Sequence, residues 1–178
     1  MKKLSLLLLT VILAIGCQQK GAERYTQKSP EIETVKKLLA NYNSQSYDTS
    51  MYVDTAKTYY NTKDNHMSPT QTIAFHKQNE ANYAARGFLD KDQEYEMVVT
   101  DDGETWVNCW VDWEATLAVN NQKYDIPIHL TYQFIDGKIV REYGYWDSSV
   151  LVLAFQEAEA QKKMTNQKES DEHGHSEE

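Results

Sequence analysis

Asp147 closes the run YQFIDGKIVREYGYWD, Tyr132 to Asp147, and is the residue here whose type and place most suggest chemistry. A carboxyl group at the end of a strand can act as a general acid or base when it opens into a pocket. The same residue is placed to cap a helix. Ser148-Ser149 and the apolar positions Val150, Leu151, Ala154, Phe155 and Ala158 follow it, so Asp147 would accept from the amide of Ser149 or Val150. A cap holds a carboxyl in its charged form, whereas acid catalysis at neutral pH needs the opposite environment. The cap is the preferred reading and acid/base work the alternative.

Arg141, Tyr143 and Tyr145 share a strand face with Asp147, and Tyr132 lies across from them. With Trp113 these residues would form the wall of a ligand pocket, in which Arg141 either pairs with Asp147 or receives an anionic group. His66 and His76 are read as surface residues that could reach a pocket mouth, because nothing nearby specifies a base and the group that orients it. Cys109 has core-facing parity and is read as a buried thiol rather than a nucleophile. His173 and His175 lie in a charged C-terminal stretch with no preformed geometry, so no metal site is expected, and no cofactor is indicated.

The elements that must position these residues follow from capping and periodicity. Ser29-Pro30-Glu31 offers an N-cap, a proline at the first helical position and an early acid, followed by Ile32, Val35, Leu39 and Tyr42 at helical spacing. Ser68-Pro69-Thr70-Gln71 forms a capping-box pattern, and its helix is predicted to run through Ile73, Phe75 and Ala81 toward Ala85. Between them a short helix after Asp48 and a strand at Ala56–Tyr60 are expected. Beyond Asp90 the period changes to two. Tyr95, Met97 and Val99 alternate, then Val107, Cys109, Val111, Trp113, Ala115, Leu117 and Val119 do so across one long strand. Asn120-Asn121 turns into a strand over Tyr124–Ile135, and Asp136-Gly137 is a two-residue hairpin turn. That turn sets Ile135 against Lys138. Continued without interruption, the register pairs Phe134 with Ile139, Tyr132 with Arg141, Leu130 with Tyr143 and Ile128 with Tyr145. His129 and Glu142 then fall on the other, more polar face.

The ends of the chain concern the compartment. Met1-Lys2-Lys3 and the apolar run Leu4–Ile15 have the form of an export signal, too short to span a bilayer, which takes roughly twenty residues. The sequence AIGC resembles the lipobox of bacterial lipoproteins. That resemblance implies removal of residues 1–16 and lipidation of Cys17, with membrane attachment through its acyl chains. Gln18 resembles outer-membrane sorting signals, so the expected location is the cell envelope, on the periplasmic side or surface of the outer membrane. Residues 17–28 would be the lipidated tether, 29–163 one folded domain and 164–178 a disordered acidic tail. The full sequence carries a net charge of −9, which argues against nucleic acid, whose recognition needs a basic footprint. With Cys17 lipidated, Cys109 has no disulfide partner.

Helices followed by a run of antiparallel strands give an α+β pattern. The segments Phe134-Ile135-Asp136-Gly137-Lys138-Ile139 and Tyr145-Trp146-Asp147, in that order of elements, resemble the SnoaL-like group of the nuclear transport factor 2-like superfamily. The resemblance implies a cone-shaped, strongly curved antiparallel sheet wrapped around the N-terminal helices and enclosing a pocket. It also implies an acid near Asp147 that can donate and accept protons, and frequent dimerisation through the outer sheet face. Trp106, Trp110 and Trp146 fall on the polar side of their strands, which suggests a homodimer contact; a C-terminal helix folded over them is the alternative. The expected function is binding of a small apolar or amphipathic molecule in the cup. The alternatives are a cofactor-independent isomerase, cyclase or dehydratase using Asp147, and a cell-envelope interaction module working through its outer face.

Overall fold

Ser29 caps the first helix as its sequence predicts. Its hydroxyl accepts from the Ile32 amide, Pro30 occupies the first turn, and α1 (Pro30–Asn43) buries Ile32, Val35 and Leu39 on one stripe. The computed structural model describes residues 24–174, with side chains described to residue 168. Cys17, Gln18, the signal region and His175 lie outside the described residues. Before α1, β1 (Tyr25–Thr26) forms one edge of the sheet, and Arg24 forms an ion pair with Asp101 at 2.7 Å. The last residues of the expected tether are therefore clipped to the sheet.

No helix follows Asp48. Residues 49–51 form a turn, and β2 (Tyr52–Tyr60) starts earlier than predicted. The capping box of Ser68 and Gln71 opens α2 (Pro69–Asn79), which is shorter than expected. A single 3-10 turn (Glu80–Asn82) ends it, and β3 (Tyr83–Phe88) takes the residues read as its last turns. Pairing of β3 with the far half of the long central strand overrides the helical preference of Ala84 and Ala85.

The remaining strands are β4 (Glu94–Val99), β5 (Thr105–Leu117), β6 (Lys123–Ile135) and β7 (Lys138–Tyr145). Their order is β1-β4-β5-β6-β7-β2, with β3 added beside β5. β5 is the spine: β4 pairs with residues 105–110 and β3 with residues 113–117, so the sheet changes direction along it. β2 joins β7 in parallel, which makes the expected antiparallel sheet a mixed one. The sheet curls without closing, and the architecture is α+β.

The core fills the concave side. Val107, Cys109, Val111, Trp113, Ala115 and Leu117 of β5 all face inward, as alternation predicts, and pack with Ile32, Val35 and Leu39. The last helix, α3 (Ser149–Gly174), buries Leu151 and Ala154 and is exposed from Glu159 to Lys168. Composition predicts a disordered tail from residue 164, whereas the helix continues to Gly174. Ala, Glu, Gln and Lys are good helix formers, and they carry it past the last buried contact.

The Asp136-Gly137 turn has both residues at positive φ, 50° and 73°, which fits a two-residue hairpin. Ile135 pairs with Lys138 and Phe134 with Ile139, as expected. The next pair is Gln133 with Arg141, so Val140 is an extra residue on β7. This bulge reverses the parity of everything after it. Tyr132 faces Glu142 rather than Arg141, and Thr131 faces Tyr143 rather than Leu130 doing so.

Candidate functional site

The reversal at Val140 turns Glu142 inward and Arg141, Tyr143 and Tyr145 outward. Glu142 is 3% exposed, among the least accessible polar residues described. It sits opposite Thr58 of β2 and opposite Tyr132 of β6. Three hydroxyls converge on its carboxyl group. Tyr52 donates to Oε2 at 2.8 Å, Thr58 donates to Oε2 at 3.1 Å, and Tyr60 donates to Oε1 at 2.9 Å. The Tyr132 hydroxyl adds a further contact. Burial pushes the carboxyl above its ordinary range, and the hydroxyl donors partly offset that push. Burial and the neighbouring carboxylate in turn raise the phenols of Tyr52, Tyr60 and Tyr132.

Above this cluster lies a cavity of about 300 Å3. Its walls are largely apolar: Leu38 and Leu39 from α1, Ile73 from α2, Ile126, Ile128 and Leu130 from β6, and Leu151 and Phe155 from α3. Trp113 stands in the wall and donates through Nε1 to the Tyr42 hydroxyl at 3.0 Å. Tyr83 meets the Trp113 ring edge to face at 5.3 Å.

A second polar cluster occupies another part of the wall. Arg86 of β3 lies over the Tyr42 ring at 4.0 Å and donates to the Tyr42 carbonyl at 3.1 Å. It also donates to the Tyr47 hydroxyl and pairs with Glu80 at 3.3 Å. Tyr47 completes the ring by donating to Glu80 at 2.8 Å. The guanidinium charge is therefore balanced from within the fold. His76 of α2 stacks on Tyr47, with ring centroids 5.8 Å apart, and its Nε2 lies 3.3 Å from the Tyr60 hydroxyl. Burial and the nearby Arg86 charge lower the His76 imidazole to about 4, so it is neutral at physiological pH.

The residues singled out from sequence divide between two faces. Trp113 and Tyr132 reach the cup. Arg141, Tyr143 and Tyr145 stand on the convex face, where Tyr59, Tyr143, Tyr145 and His129 form a run of stacked rings. Trp106 and Trp110 lie on that face as expected, against Tyr143 and His129. Trp146, expected beside them, instead packs against Tyr60 and lines the cup. Asp147 is exposed and outside the cavity, accepting from the Ser149 amide at 2.9 Å. That bond, with the Ser149 hydroxyl, holds its carboxyl below the usual range. His76, expected at the surface, is enclosed by aromatic rings, whereas His66 is exposed beside Tyr59. Cys109 is fully buried, and burial pushes its thiol up to about 12, so it is inert as a nucleophile. Among the described residues no cluster of His, Cys, Asp and Glu could hold a metal ion.

Two members of the site escape a reading by pattern. Glu142 is hidden because the Val140 bulge reverses its parity. His76 lies on a helix with a weak apolar stripe. The available signal was compositional: tyrosines crowd β2, at Tyr52, Tyr59 and Tyr60, and a buried carboxyl group needs donors of that kind.

No family model matches the sequence, and no curated protein matches it. Solved structures do. An NTF2-like protein of unknown function from Burkholderia pseudomallei superposes with a TM-score of 0.56 at 11% identity, over 70% of this chain and 96% of that one. A proposed polyketide cyclase from Xanthomonas campestris gives 0.54 at 14% identity, over 72% and 98%. A protein with a ketosteroid isomerase-like fold from Catenulispora acidiphila, in complex with trimethylamine, gives 0.54 at 10% identity, over 66% and 87%. Likeness at such identities is a likeness of fold. The chain therefore has the nuclear transport factor 2-like cone fold, with its buried carboxyl group and a cavity of about 300 Å3 on the concave side of the curled sheet.

Proposed function

We propose that the cup binds a small, largely apolar molecule with one polar end, and that Cys17 carries lipid that holds the domain at a membrane of the cell envelope. The observation that carries the binding reading is the cavity of about 300 Å3, with largely apolar walls and polar groups that include Glu142 on one side and His76, Tyr42 and Arg86 on another. That volume lies near the lower end of pockets that accept small organic ligands. The apolar walls supply affinity, and the few polar groups supply orientation.

Binding is tested with N-phenyl-1-naphthylamine, a neutral probe that brightens in apolar surroundings. Saturable binding with one site per chain is expected. Ile128→Trp, which fills the cup from β6, should weaken it about tenfold or more, an amount of roughly 1.4 kcal/mol. Trp110→Ser on the convex face should leave it unchanged. Equal binding by the folded Ile128→Trp variant would refute the reading. The anchor is tested separately by mass spectrometry of the protein from membranes: acylation at Cys17 is expected, and an unmodified Cys17 would refute it.

A further inference from the structure

We propose that Glu142, Tyr60 and His76 form a proton relay whose working end is Nδ1 of His76, and that this nitrogen exchanges a proton with a molecule held in the cup. The proposal rests on the cup being a binding site. Its geometric basis is the Tyr60 hydroxyl, which lies 2.9 Å from Glu142 Oε1 and 3.3 Å from His76 Nε2. That hydroxyl has one hydrogen and can donate to only one of them at a time. Two arrangements that differ by a proton on Oε1 satisfy both contacts. In the first, Tyr60 donates to an ionised Glu142 and accepts from Nε2–H, which leaves Nδ1 as a lone pair. In the second, a protonated Glu142 donates to Tyr60, Tyr60 donates to Nε2, and Nδ1 carries the hydrogen. Both leave His76 neutral.

Passage from the first to the second is a balanced proton transfer. A weakly acidic proton of the bound molecule goes to Nδ1, the Nε2 hydrogen goes to the Tyr60 oxygen, and the Tyr60 hydrogen goes to Glu142 Oε1. The electron pair of the broken bond stays on the bound molecule, which becomes an anion as the carboxylate is neutralised. Return of the proton to a different atom would give an isomer. No oxidant or cofactor enters the balance. The relay also gives the buried carboxyl group a chemical use. Its own oxygens already accept from three hydroxyls, so direct contact with a substrate would displace a donor. The substrate class that fits is a mostly apolar molecule bearing one weakly acidic hydrogen.

The surroundings allow the switch. Glu142 faces Tyr52, Thr58 and Tyr60 of β2, Tyr132 of β6 and Cys109 of β5. His76 faces Tyr42, Tyr47 and Tyr60, with Arg86 and Glu80 as the charged groups beside it. Burial favours the neutral form of each partner, so on acidification Glu142 takes up a proton before His76 becomes cationic near pH 4.

Two measurements test the relay. Nitrogen-15 NMR of ligand-free protein should show His76 changing from the Nε2–H to the Nδ1–H tautomer as pH falls, before the ring becomes cationic. Tyr60→Phe should abolish that change. A tautomer that stays fixed in the wild type, or still switches in Tyr60→Phe, overturns the relay. The second measurement follows deuterium uptake by 2-tetralone, a small apolar carbon acid. Wild-type protein should accelerate uptake on the order of a hundredfold over buffer, and His76→Gln should lose the acceleration. Uptake at the buffer rate, with 2-tetralone displacing the naphthylamine probe, overturns the proposal. Failure to displace the probe counts instead against the cup as a binding site, and the tautomer titration, which uses no ligand, still decides the relay.

Discussion

Glu142 holds three hydroxyl donors in place and is the residue on which the concave site depends. Replacing it with Ala leaves those donors without their acceptor in a buried place, and should cost roughly 3 kcal/mol or more in chemical denaturation. Glu142→Gln keeps the shape and one acceptor, so it should fold. Its effect should appear in the pH dependence. Burial raises the folded carboxyl above its unfolded value of 4.5, so folding favours the protonated form. That stabilising contribution is complete below 4.5 and is lost as pH rises through the folded pKa. The Gln variant should lack this loss, gaining on the wild type as pH rises from 4.5 to neutrality in parallel denaturant titrations. Parallel curves for the two proteins would show that other groups set the slope. Asp147 has the opposite sign: its folded carboxyl lies below 3.8, so its contribution is present above that value and lost as pH falls. Asp147→Ala should slightly weaken the start of α3 and leave naphthylamine binding unchanged, because the carboxyl is outside the cup.

A single bulge decides which residues of β7 face the cup. Removing Val140 would leave Ile139 against Phe134, Arg141 against Gln133 and Glu142 against Tyr132 in continuous pairing, so Glu142 should still face the cup. The deletion should therefore keep a cooperative thermal transition and naphthylamine binding, and loss of both would show that the local twist of the bulge is itself needed to aim Glu142. Gly144 tests the packing beneath the cup more gently. A Cβ there would lie 2.9 Å from atoms of Trp146 and Tyr60 and 3.0 Å from Leu130. Gly144→Ala should therefore cost about 1–3 kcal/mol by overpacking, measured by denaturant titration. The same elements show what pattern reading can reach. Caps at Ser29 and Ser68, alternation in β5 and the Asp136-Gly137 turn are local signals, and the structure has each of them. The bulge is not local: nothing in Ile139-Val140-Arg141 distinguishes it from continuous strand, and it is stabilised by what Glu142 meets from β2 and β6. Uninterrupted alternation would put Arg141, Tyr143 and Tyr145 in the cup and Glu142 on the polar side. The end of α2 escaped for a related reason. Tyr83 to Phe88 pair with a strand 25 or more residues further along the sequence, a partner that helical propensity does not see.

At the scale of the whole molecule the two faces of the sheet have different chemistry. The concave face is covered by α1, α2 and the start of α3, whereas the convex face carries aromatic rings that stay exposed among the described residues. Trp110 is 44% exposed and Tyr145 is 48% exposed. His129 between them has a buried Nδ1 without a hydrogen-bond partner. Exposed aromatic surface gathered on one face of a sheet is characteristic of a surface completed by contact. The lipid proposed at Cys17 would confine the chain to a membrane plane, where it would meet its own copies at high local concentration. The occupant proposed for this face is a second copy of the chain, with Trp106 and Trp110 at the contact and Trp146 excluded because it lines the cup. Sedimentation of residues 24–174 at micromolar concentration should give a dimer. Trp110→Lys should give a monomer, because two like charges would meet across a symmetric contact. The cup is built from one chain, so the monomeric variant should bind naphthylamine as the wild type does. A wild-type monomer at that concentration would remove the dimer. A dimer unaffected by Trp110→Lys would move the contact elsewhere on the convex face or onto the exposed part of α3.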